Sequence, residues 1–119
     1  PDLQIAVGHG GEAIPYWLYR IDFMHKAGVR SNRYERLKPL KKDVVTCLRE
    51  NVLATTSGLP FPPAIRLMLE VMGEDRVMYA MDYPYQYVPD EVRAHDLLDI
   101  PDGAKRKLMQ TNAERVFRL

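Results

Sequence analysis

The sequence predicts an α/β fold in which about three strand–helix units build a parallel sheet. Three short apolar runs have the length and composition of buried strands, and each is followed by a segment whose apolar residues have helical spacing. Turns that contain glycine or proline separate the strands from the helices. The resulting order is strand, helix, helix, strand, helix, strand, helix, which favours parallel strands joined by helical crossovers.

The first unit begins with residues 3–7, an apolar run that predicts a strand buried on both faces. Three glycines around His9 end this strand. A helix is predicted to begin between residues 12 and 15, with Pro15 tolerated in its first turn, and to end near Gly28. Its predicted buried stripe follows i, i+3, i+4, i+7 spacing and comprises Ile14, Trp17, Leu18 and Ile21.

The remaining units follow a basic connection, residues 26–42, which is interpreted as a solvated loop. A short helix is predicted over residues 40–50 and a second strand over residues 51–57, which are rich in β-favouring side chains. The next helix covers residues 63–72, and Gly73 ends it. The predicted third strand covers residues 76–81, a short helix lies near residues 91–98, and a last helix runs over residues 102–117.

The length of 119 residues is that of one domain or of part of one. The net charge of +1 provides no global field that would attract nucleic acid or an anionic membrane. No apolar run approaches the roughly 20 residues of a membrane span. The single cysteine, Cys47, rules out an internal disulfide and fits a reducing compartment, so a cytoplasmic location is expected.

His9 is the first candidate functional residue, because it stands among glycines directly after a predicted strand. Glycines allow the backbone to pass close to a ligand and leave the imidazole unshielded. Imidazole can ligate a metal or act as an acid or base near neutral pH. Glu12 could orient this ring or cap the start of the helix. The structural alternative for His9 is a turn residue whose ring nitrogens are hydrogen-bonded within the protein.

Asp82 is the second candidate, because it directly follows the apolar run of residues 77–81. A carboxylate at the end of a central strand is costly unless it is paired, hydrogen-bonded or bound to a metal. A strand-terminal Asp is also a good ligand for a divalent ion. In parallel α/β folds the chemistry is built at this edge of the sheet, so His9 and Asp82 are expected at the same edge.

Arg20 lies about two turns after Glu12 on the first helix, where a solvated arginine is the ordinary interpretation. A guanidinium that reached the site would bind a carboxylate through two parallel hydrogen bonds. His25 and His95 are interpreted as surface residues, and Cys47 as a core residue.

The chain resembles the metal-dependent amidohydrolase superfamily, and within it the non-oxidative decarboxylases of aromatic acids. That branch includes 2,3-dihydroxybenzoate, γ-resorcylate and aminocarboxymuconate-semialdehyde decarboxylases. The matching segments lie in order and at family-like spacing over nearly the whole chain. They are Asp2–Ile5, Val7–Glu12, Ile14–Pro15, Arg20–Asp22, Thr55–Gly58, Gly73–Val77, Met81–Tyr85 and Asn112–Phe117.

This resemblance implies a (β/α)8 TIM barrel, of which the chain would be the C-terminal part, about its last three βα units. It implies that His9 lies beside a metal and transfers a proton, with Glu12 in support. It further implies that Asp82 is a metal ligand and that Arg20 holds the substrate carboxylate. The implied cofactor is a divalent ion, zinc or manganese, which would orient a small-molecule carboxylic acid while the ring carbon is protonated and carbon dioxide leaves.

The chain departs from the family pattern because it has no His-x-His or Glu-x-His pair to complete the metal site. Gln86 also stands where relatives often have an acidic residue. Such a barrel needs about 250 residues. The missing ligands are therefore expected from an N-terminal barrel portion or another chain. Two alternatives to the decarboxylase remain open: a hydrolase of the same superfamily, and an inactive fragment that self-associates as a homo-oligomer to cover its sheet edges.

Overall fold

The computed structural model describes residues 3–119, so Pro1 and Asp2, which begins the first matching segment, lie outside the described residues. The described residues form an α/β fold around one parallel sheet with the strand order β1-β2-β3. Strand β1 covers Ile5–Val7, β2 covers Val52–Thr55 and β3 covers Val77–Met78. The predicted α/β class and parallel sheet are confirmed.

The helices follow the predicted order with shifted ends. Helices α1, α2 and α3 cover Ile14–Ser31, Val44–Asn51 and Pro62–Met72. A 3₁₀ turn over Glu74–Arg76 leads into β3, and α4 covers Glu91–Asp96. The last helix consists of α5 (Asp102–Arg106), a π-helical segment (Lys107–Thr111) and α6 (Asn112–Phe117). Within residues 3–119, none of the helices combines the length and the hydrophobicity that a bilayer crossing requires.

The hydrophobic core lies where the sheet packs against α3 and the last helix. Strand β2 supplies its centre through Val52 and Ala54, whereas Leu53, on the opposite face of the strand, is also almost fully buried. The other buried residues of this core come from α3, β3 and the C-terminal third of the chain. They are Ile65, Met68, Leu69, Met72, Val77, Leu98 and Leu108.

The prediction of a first strand buried on both faces was wrong for the described residues. Residues 5 and 6 are exposed, and Ile5 keeps 46% of its surface accessible. The physical reason is that β1 lies at the edge of the sheet and that, among residues 3–119, neither of its two faces is fully covered by packed side chains.

The third strand is shorter than predicted because the backbone after Met78 forms its hydrogen bonds outside the sheet. The amide of Tyr79 donates to the carbonyl of Leu108 in the last helix at 2.8 Å. The Thr56 hydroxyl then lies 3.2 Å from both the amide and the carbonyl of Ala80. Residues 79–81 are thus held by a helix carbonyl and a side chain instead of a continued ladder.

The predictions for four residues, Gly28, Trp17, Ile21 and His95, were also wrong. Helix α1 continues past Gly28 to Ser31 and ends at Asn32 in a left-handed conformation. Trp17 and Ile21 of the predicted buried stripe are exposed, at 51% and 39%. The buried face of α1 is instead formed by Pro15, Leu18 and Asp22.

His95 is buried at 1% exposure, although it was interpreted as a surface residue, whereas Cys47 and His25 are half-buried.

Candidate active site

His9 opens a turn of left-handed backbone at the carboxyl end of β1. Residues 9–13 all have positive φ, with 49° at His9 and 71° and 74° at the next two glycines. Glycine adopts this conformation readily, whereas His, Glu and Ala pay a steric cost in it. A side chain at Gly10 would also meet the Leu59 side chain at 2.7 Å. The local sequence therefore supports a strained turn that presents His9 at the strand end.

Ser57, just beyond the carboxyl end of β2, holds His9 through two contacts. The His9 amide donates to Ser57 Oγ at 3.1 Å, and His9 Nδ1 lies 2.9 Å from the Ser57 carbonyl oxygen. Thr55 Oγ1 lies 2.9 Å from Ser57 Oγ and supports it. Since a carbonyl oxygen only accepts, Nδ1 must carry the hydrogen. The neutral ring then keeps Nε2 free as an acceptor, metal ligand or base.

Asp82 and His9 converge around Gly58, as the strand-end positions predicted. A Cβ atom at Gly58 would lie 3.2 Å from His9 Nδ1, 3.3 Å from Gln86 Oε1 and 3.4 Å from Asp82 Oδ2. Gly58 has a φ of +63° and Asp82 one of 75°, so both residues use left-handed backbone here. The absence of a side chain at Gly58 leaves three polar side chains facing one small space.

The Asp82 carboxylate is half-buried, and in the described part of the chain no hydrogen bond to it is found. The loop is held from its backbone, since the Gln86 amide donates to the Asp82 carbonyl at 3.0 Å. A half-buried carboxylate without a protein donor fits a place in a metal coordination sphere. Between residues 3 and 119, however, no group of three His, Cys, Asp or Glu side chains could hold a metal ion. Asp82, with His9 beside it, therefore offers part of a metal site.

Glu12 and Arg20 lie apart from this convergence point. Glu12 is exposed and is the fourth residue of the left-handed turn, with a φ of 48°. Arg20 is exposed on α1, where its guanidinium lies 5.7 Å from the centroid of the Phe23 ring. Within residues 3–119, neither side chain makes a hydrogen bond or an ion pair with Asp82.

The sequence interpretation assigned no role to Ser57, Gly58 or Gln86 at this site. Ser57 and Gly58 follow strand β2 just as His9 follows β1 and Asp82 follows the segment after β3. The rule that places functional groups at the carboxyl ends of parallel strands would therefore have found them. Gln86 was singled out only as a departure from the acidic residue of relatives, and its approach to Gly58 could not be predicted because the loop after Asp82 has no regular periodicity.

The match to a protein-family model now decides the family. The model described as "Amidohydrolase" matches residues 1–119. The chain belongs to the amidohydrolase family. The superfamily that the sequence motifs indicated is thus confirmed, and the similarity to the decarboxylase branch is confirmed by named relatives. The γ-resorcylate decarboxylase of Rhodococcus jostii (strain RHA1) is 34% identical over 120 residues, which cover 100% of this chain and 35% of that protein.

Solved structures of amidohydrolase relatives match all or nearly all of the chain. One is 5-carboxyvanillate decarboxylase from Novosphingobium aromaticivorans DSM 12444, complexed with manganese and 4-hydroxy-3-methoxy-5-nitrobenzoic acid. It is 65% identical with a TM-score of 0.95, and the match covers 100% of this chain and 34% of that one. Another is a dihydroxybenzoic acid decarboxylase from Polaromonas sp. JS666 with manganese and 2-nitroresorcinol, which is 27% identical with a TM-score of 0.83. That match covers 98% of this chain and 34% of that one.

The chain therefore spans about a third of the length of these relatives. Its family and its α/β architecture follow directly from the matches. The activity, substrates and partners of a whole protein that carries this sequence are proposals.

Proposed function

We propose that residues 1–119 contribute one part of the active centre of a metal-dependent, non-oxidative decarboxylase that acts on hydroxylated aromatic carboxylic acids. The observation that carries this proposal is the convergence of His9 and Asp82 around Gly58. It occurs at the carboxyl edge of a parallel sheet, where such folds build their chemistry. The similarity to manganese-containing decarboxylases over the whole chain supports the same reaction class.

We further propose that the sheet is the C-terminal part of a (β/α)8 barrel. The outer edges of β1 and β3 have no partner strand among residues 3–119, and exposed parallel edges are rarely left uncovered. The coverage of about a third of each relative leaves room for the other strands. The partner of the sheet would then be an N-terminal barrel portion. Homo-oligomerisation, in which another copy of the chain covers the sheet edges, is the alternative.

His9 is proposed as the proton-transfer residue. Its Nδ1–H is held by the Ser57 carbonyl, so Nε2 is the nitrogen that can take up a proton and give it to the substrate. In the reaction the C–C bond to the carboxylate breaks, carbon dioxide leaves, and the electron pair of that bond accepts the proton at the ring carbon. The Ser57 contact fixes the tautomer before substrate arrives, which removes a reorganisation step.

Asp82 is proposed as a metal ligand, and manganese is proposed in preference to zinc because related structures contain it. When bound, the ion would supply orientation and charge neutralisation for the substrate's carboxylate and adjacent hydroxyl. Asp82 would hold the ion through its Oδ atoms, with the remaining ligands outside residues 3–119. The Gln86 side chain also lies beside Gly58, and because it is neutral it adds no charge to the proposed metal site.

Glu12 is proposed to support His9, and Arg20 to bind the substrate carboxylate once other parts of the protein complete the site. Both side chains are exposed in the described residues and so are accessible to additional partners. A hydroxylated and methoxylated benzoate, such as the ligand of the 65%-identical relative, is the proposed substrate type. The free thiol of Cys47 supports the proposal of a cytoplasmic location.

The test is a substrate panel on the longest polypeptide that carries this sequence, loaded with manganese. Hydroxylated aromatic acids, including 5-carboxyvanillate and γ-resorcylate, are scored for released carbon dioxide, and esters and amides for hydrolysis. We expect carbon dioxide from at least one acid and a loss of about 10²–10⁴-fold in kcat for His9→Asn, as for removal of a general acid. Asp82→Asn is expected to lose bound manganese together with activity.

The matched controls are His25→Asn and Asp99→Asn, which change the same residue types away from Gly58 and should leave turnover unchanged. Hydrolysis without carbon dioxide release would replace the decarboxylase proposal with the hydrolase alternative. Full decarboxylation by His9→Asn would remove His9 from the mechanism.

A further inference from the structure

A cavity of about 290 Å³ lies between the last two turns of α1 and the connection, residues 32–43, that leads to α2. The volumes of small-ligand pockets begin at roughly 300 Å³, so a small molecule fits this space. Because an α-helix rises about 1.5 Å per residue, the cavity lies roughly 15–25 Å along α1 from the turn that presents His9. It is therefore separate from the candidate active site.

The walls of the cavity are held together by contacts between α1 and the connection, which folds back onto the helix. His25 Nε2 lies 3.3 Å from the carbonyl oxygen of Lys38. Leu37 packs so closely on the helix that a Cβ atom at Gly28 would lie 2.5 Å from its Cδ2 atom. The second half of the basic connection is thus attached to the helix, and the cavity is formed before any ligand arrives.

The floor of the cavity is apolar. It is formed by Val29 of α1 and by Pro39 and Leu40 of the connection. Leu40 keeps 51% of its surface accessible. A single exposed leucine is ordinary, but here it joins two other apolar residues in a concave surface. Because removing apolar surface from water is favourable, this floor suits an apolar group.

Four cationic side chains also line the cavity. They are Lys26, Arg30, Lys41 and Lys42. Lys26 and Lys42 are already paired with carboxylates, each at 2.6 Å. Within residues 3–119, Arg30 and Lys41 make no ion pair. Two cations at the cavity therefore lack a carboxylate partner in the described part of the chain.

One acidic side chain, Asp43, lines the cavity in the same part of the chain. Its carboxylate accepts a hydrogen bond from the Thr46 amide at 2.6 Å and caps α2, so it is not paired with Arg30 or Lys41. A guanidinium binds a carboxylate through two parallel hydrogen bonds, and a lysine ammonium adds a point charge. The cavity thus combines an apolar floor with positive charge that is available to an anion.

We propose that this cavity is a binding site for a small organic carboxylate with an apolar body, such as an aromatic acid. The carboxylate would lie against Arg30 and Lys41, and the apolar body against Val29, Pro39 and Leu40. An inorganic anion would leave the floor uncovered, and a neutral ring would leave the two cations unpaired. This inference does not depend on the proposed decarboxylation, since no residue of the cavity takes part in it.

The test is a titration of the longest polypeptide that carries this sequence, free of metal and with ¹³C-labelled valine and leucine methyl groups. The probes are benzoate, benzyl alcohol, which keeps the ring without the charge, and acetate, which keeps the charge without the ring. We expect benzoate to shift the methyl resonances of Val29 and Leu40 and to bind about tenfold more tightly than either other probe. Leu59, which lies against Gly10, reports separately on binding beside His9.

The variants Arg30→Gln and Lys41→Gln test the two cations. Each is expected to weaken the binding of benzoate at Val29 and Leu40 by about tenfold, because each removes a charged partner of the carboxylate. Arg33→Gln, on the same connection but outside the cavity lining, is the matched control and should bind benzoate as the wild-type protein does. All three side chains are exposed, so the variants should fold.

Three results would overturn the inference. Equal binding of benzoate and benzyl alcohol would show that the cations play no part, and equal binding of benzoate and acetate would show that the floor plays none. Benzoate that shifts Leu59 and leaves Val29 and Leu40 unchanged would bind beside His9 and not in this cavity. Wild-type affinity in both Arg30→Gln and Lys41→Gln would likewise remove the assigned site.

Discussion

Gly58 is the residue on which the geometry of the candidate site depends most. Its φ of +63° suits glycine, and its missing side chain leaves the space toward which His9, Asp82 and Gln86 point. Three polar atoms at 3.2–3.4 Å from a single hypothetical Cβ leave no room for a methyl group without displacing one of them. A substitution here should therefore affect function more than it affects folding.

Gly58→Ala is expected to lower the free energy of unfolding by roughly 1–2 kcal/mol, the cost of placing an L side chain in left-handed backbone. Manganese affinity should fall by about tenfold or more, because the methyl group would displace a group that positions or provides a ligand. Chemical denaturation and a manganese titration measure the two effects.

Gly73→Ala is the control variant that separates the effect of backbone strain on stability from the effect of an added side chain on manganese affinity. Gly73 has a φ of +98°, but a Cβ there would meet nothing within 4 Å. The backbone of Gly73 (φ +98°, ψ 148°) is a conformation that side-chain-bearing residues rarely adopt, so this variant should lose at least as much stability as Gly58→Ala and keep its manganese affinity. Equal manganese affinities in the two variants would contradict the role assigned to Gly58.

For single residues, the sequence predicts candidate site residues at the ends of strands. It does not predict side chains whose position depends on the path of a loop or on tertiary packing. His9 and Asp82 were predicted because each follows an apolar run. The interpretation of His95 as a surface residue was wrong because Glu91 and His95 are four residues apart on a short helix, a spacing typical of a solvent-facing polar pair. Only the tertiary packing of α4 against Tyr79 reveals that this face is buried.

Among the elements, α2 shows how a local motif determines a helix start. The Asp43 carboxylate accepts a hydrogen bond from the Thr46 amide at 2.6 Å, which caps the helix. The amide of Val44 donates to Asp22 Oδ1 at 3.2 Å, which ties α2 to α1. The predicted start at residue 40 was early because apolar spacing alone does not locate the cap.

The Asp43 cap predicts a defined dependence of stability on pH. Hydrogen bonding to Thr46 lowers the pKa of Asp43 below its usual 3.8, so the folded state favours the carboxylate. The stabilisation is present above pH 3.8 and is lost as pH falls through the lower pKa of the folded state. Wild-type stability should therefore fall more steeply in this acidic range than that of Asp43→Asn, which caps without a charge.

Thermal unfolding of both proteins across this pH range measures the difference, with Asp43→Ala as the variant that loses the cap at every pH. Parallel pH profiles for the wild-type protein and Asp43→Asn would show that the folded state does not favour the charged form.

The last helix shows a feature that the sequence could not indicate. Residues 102–117 were predicted as one helix, and the structure contains a π-helical segment over Lys107–Thr111. There the Asn112 amide donates to the Lys107 carbonyl, one residue further than in an α-helix, while the Leu108 carbonyl accepts from Tyr79. The wider turn arises from packing against β3, whereas the apolar spacing of the sequence fits an ordinary helix equally well.

The whole molecule combines a well-packed core with open sheet edges. Val77 and Ala54 are fully buried, whereas β1 is exposed and the outer edges of β1 and β3 are unpaired within residues 3–119. Exposed edges of parallel sheets pair readily with other strands. Such a sheet is consistent with a fold that further strands complete.

The 119-residue chain expressed alone is therefore expected to self-associate. Sedimentation velocity should detect species heavier than the 13.8 kDa monomer, in increasing proportion as concentration rises. Addition of a polypeptide that supplies the proposed N-terminal barrel portion should replace these species with a defined complex. A monomer that persists at high concentration would contradict the view that the open edges need a partner.

The location of manganese by anomalous diffraction, in crystals of the longest polypeptide that carries this sequence, tests the proposed active centre most directly. We expect one ion bound to the Asp82 carboxylate, with His9 beside it and Gly58 facing the same space. An ion bound away from Asp82, with Asp82 making no contact to metal, would contradict the assignment of this sheet edge as the active centre.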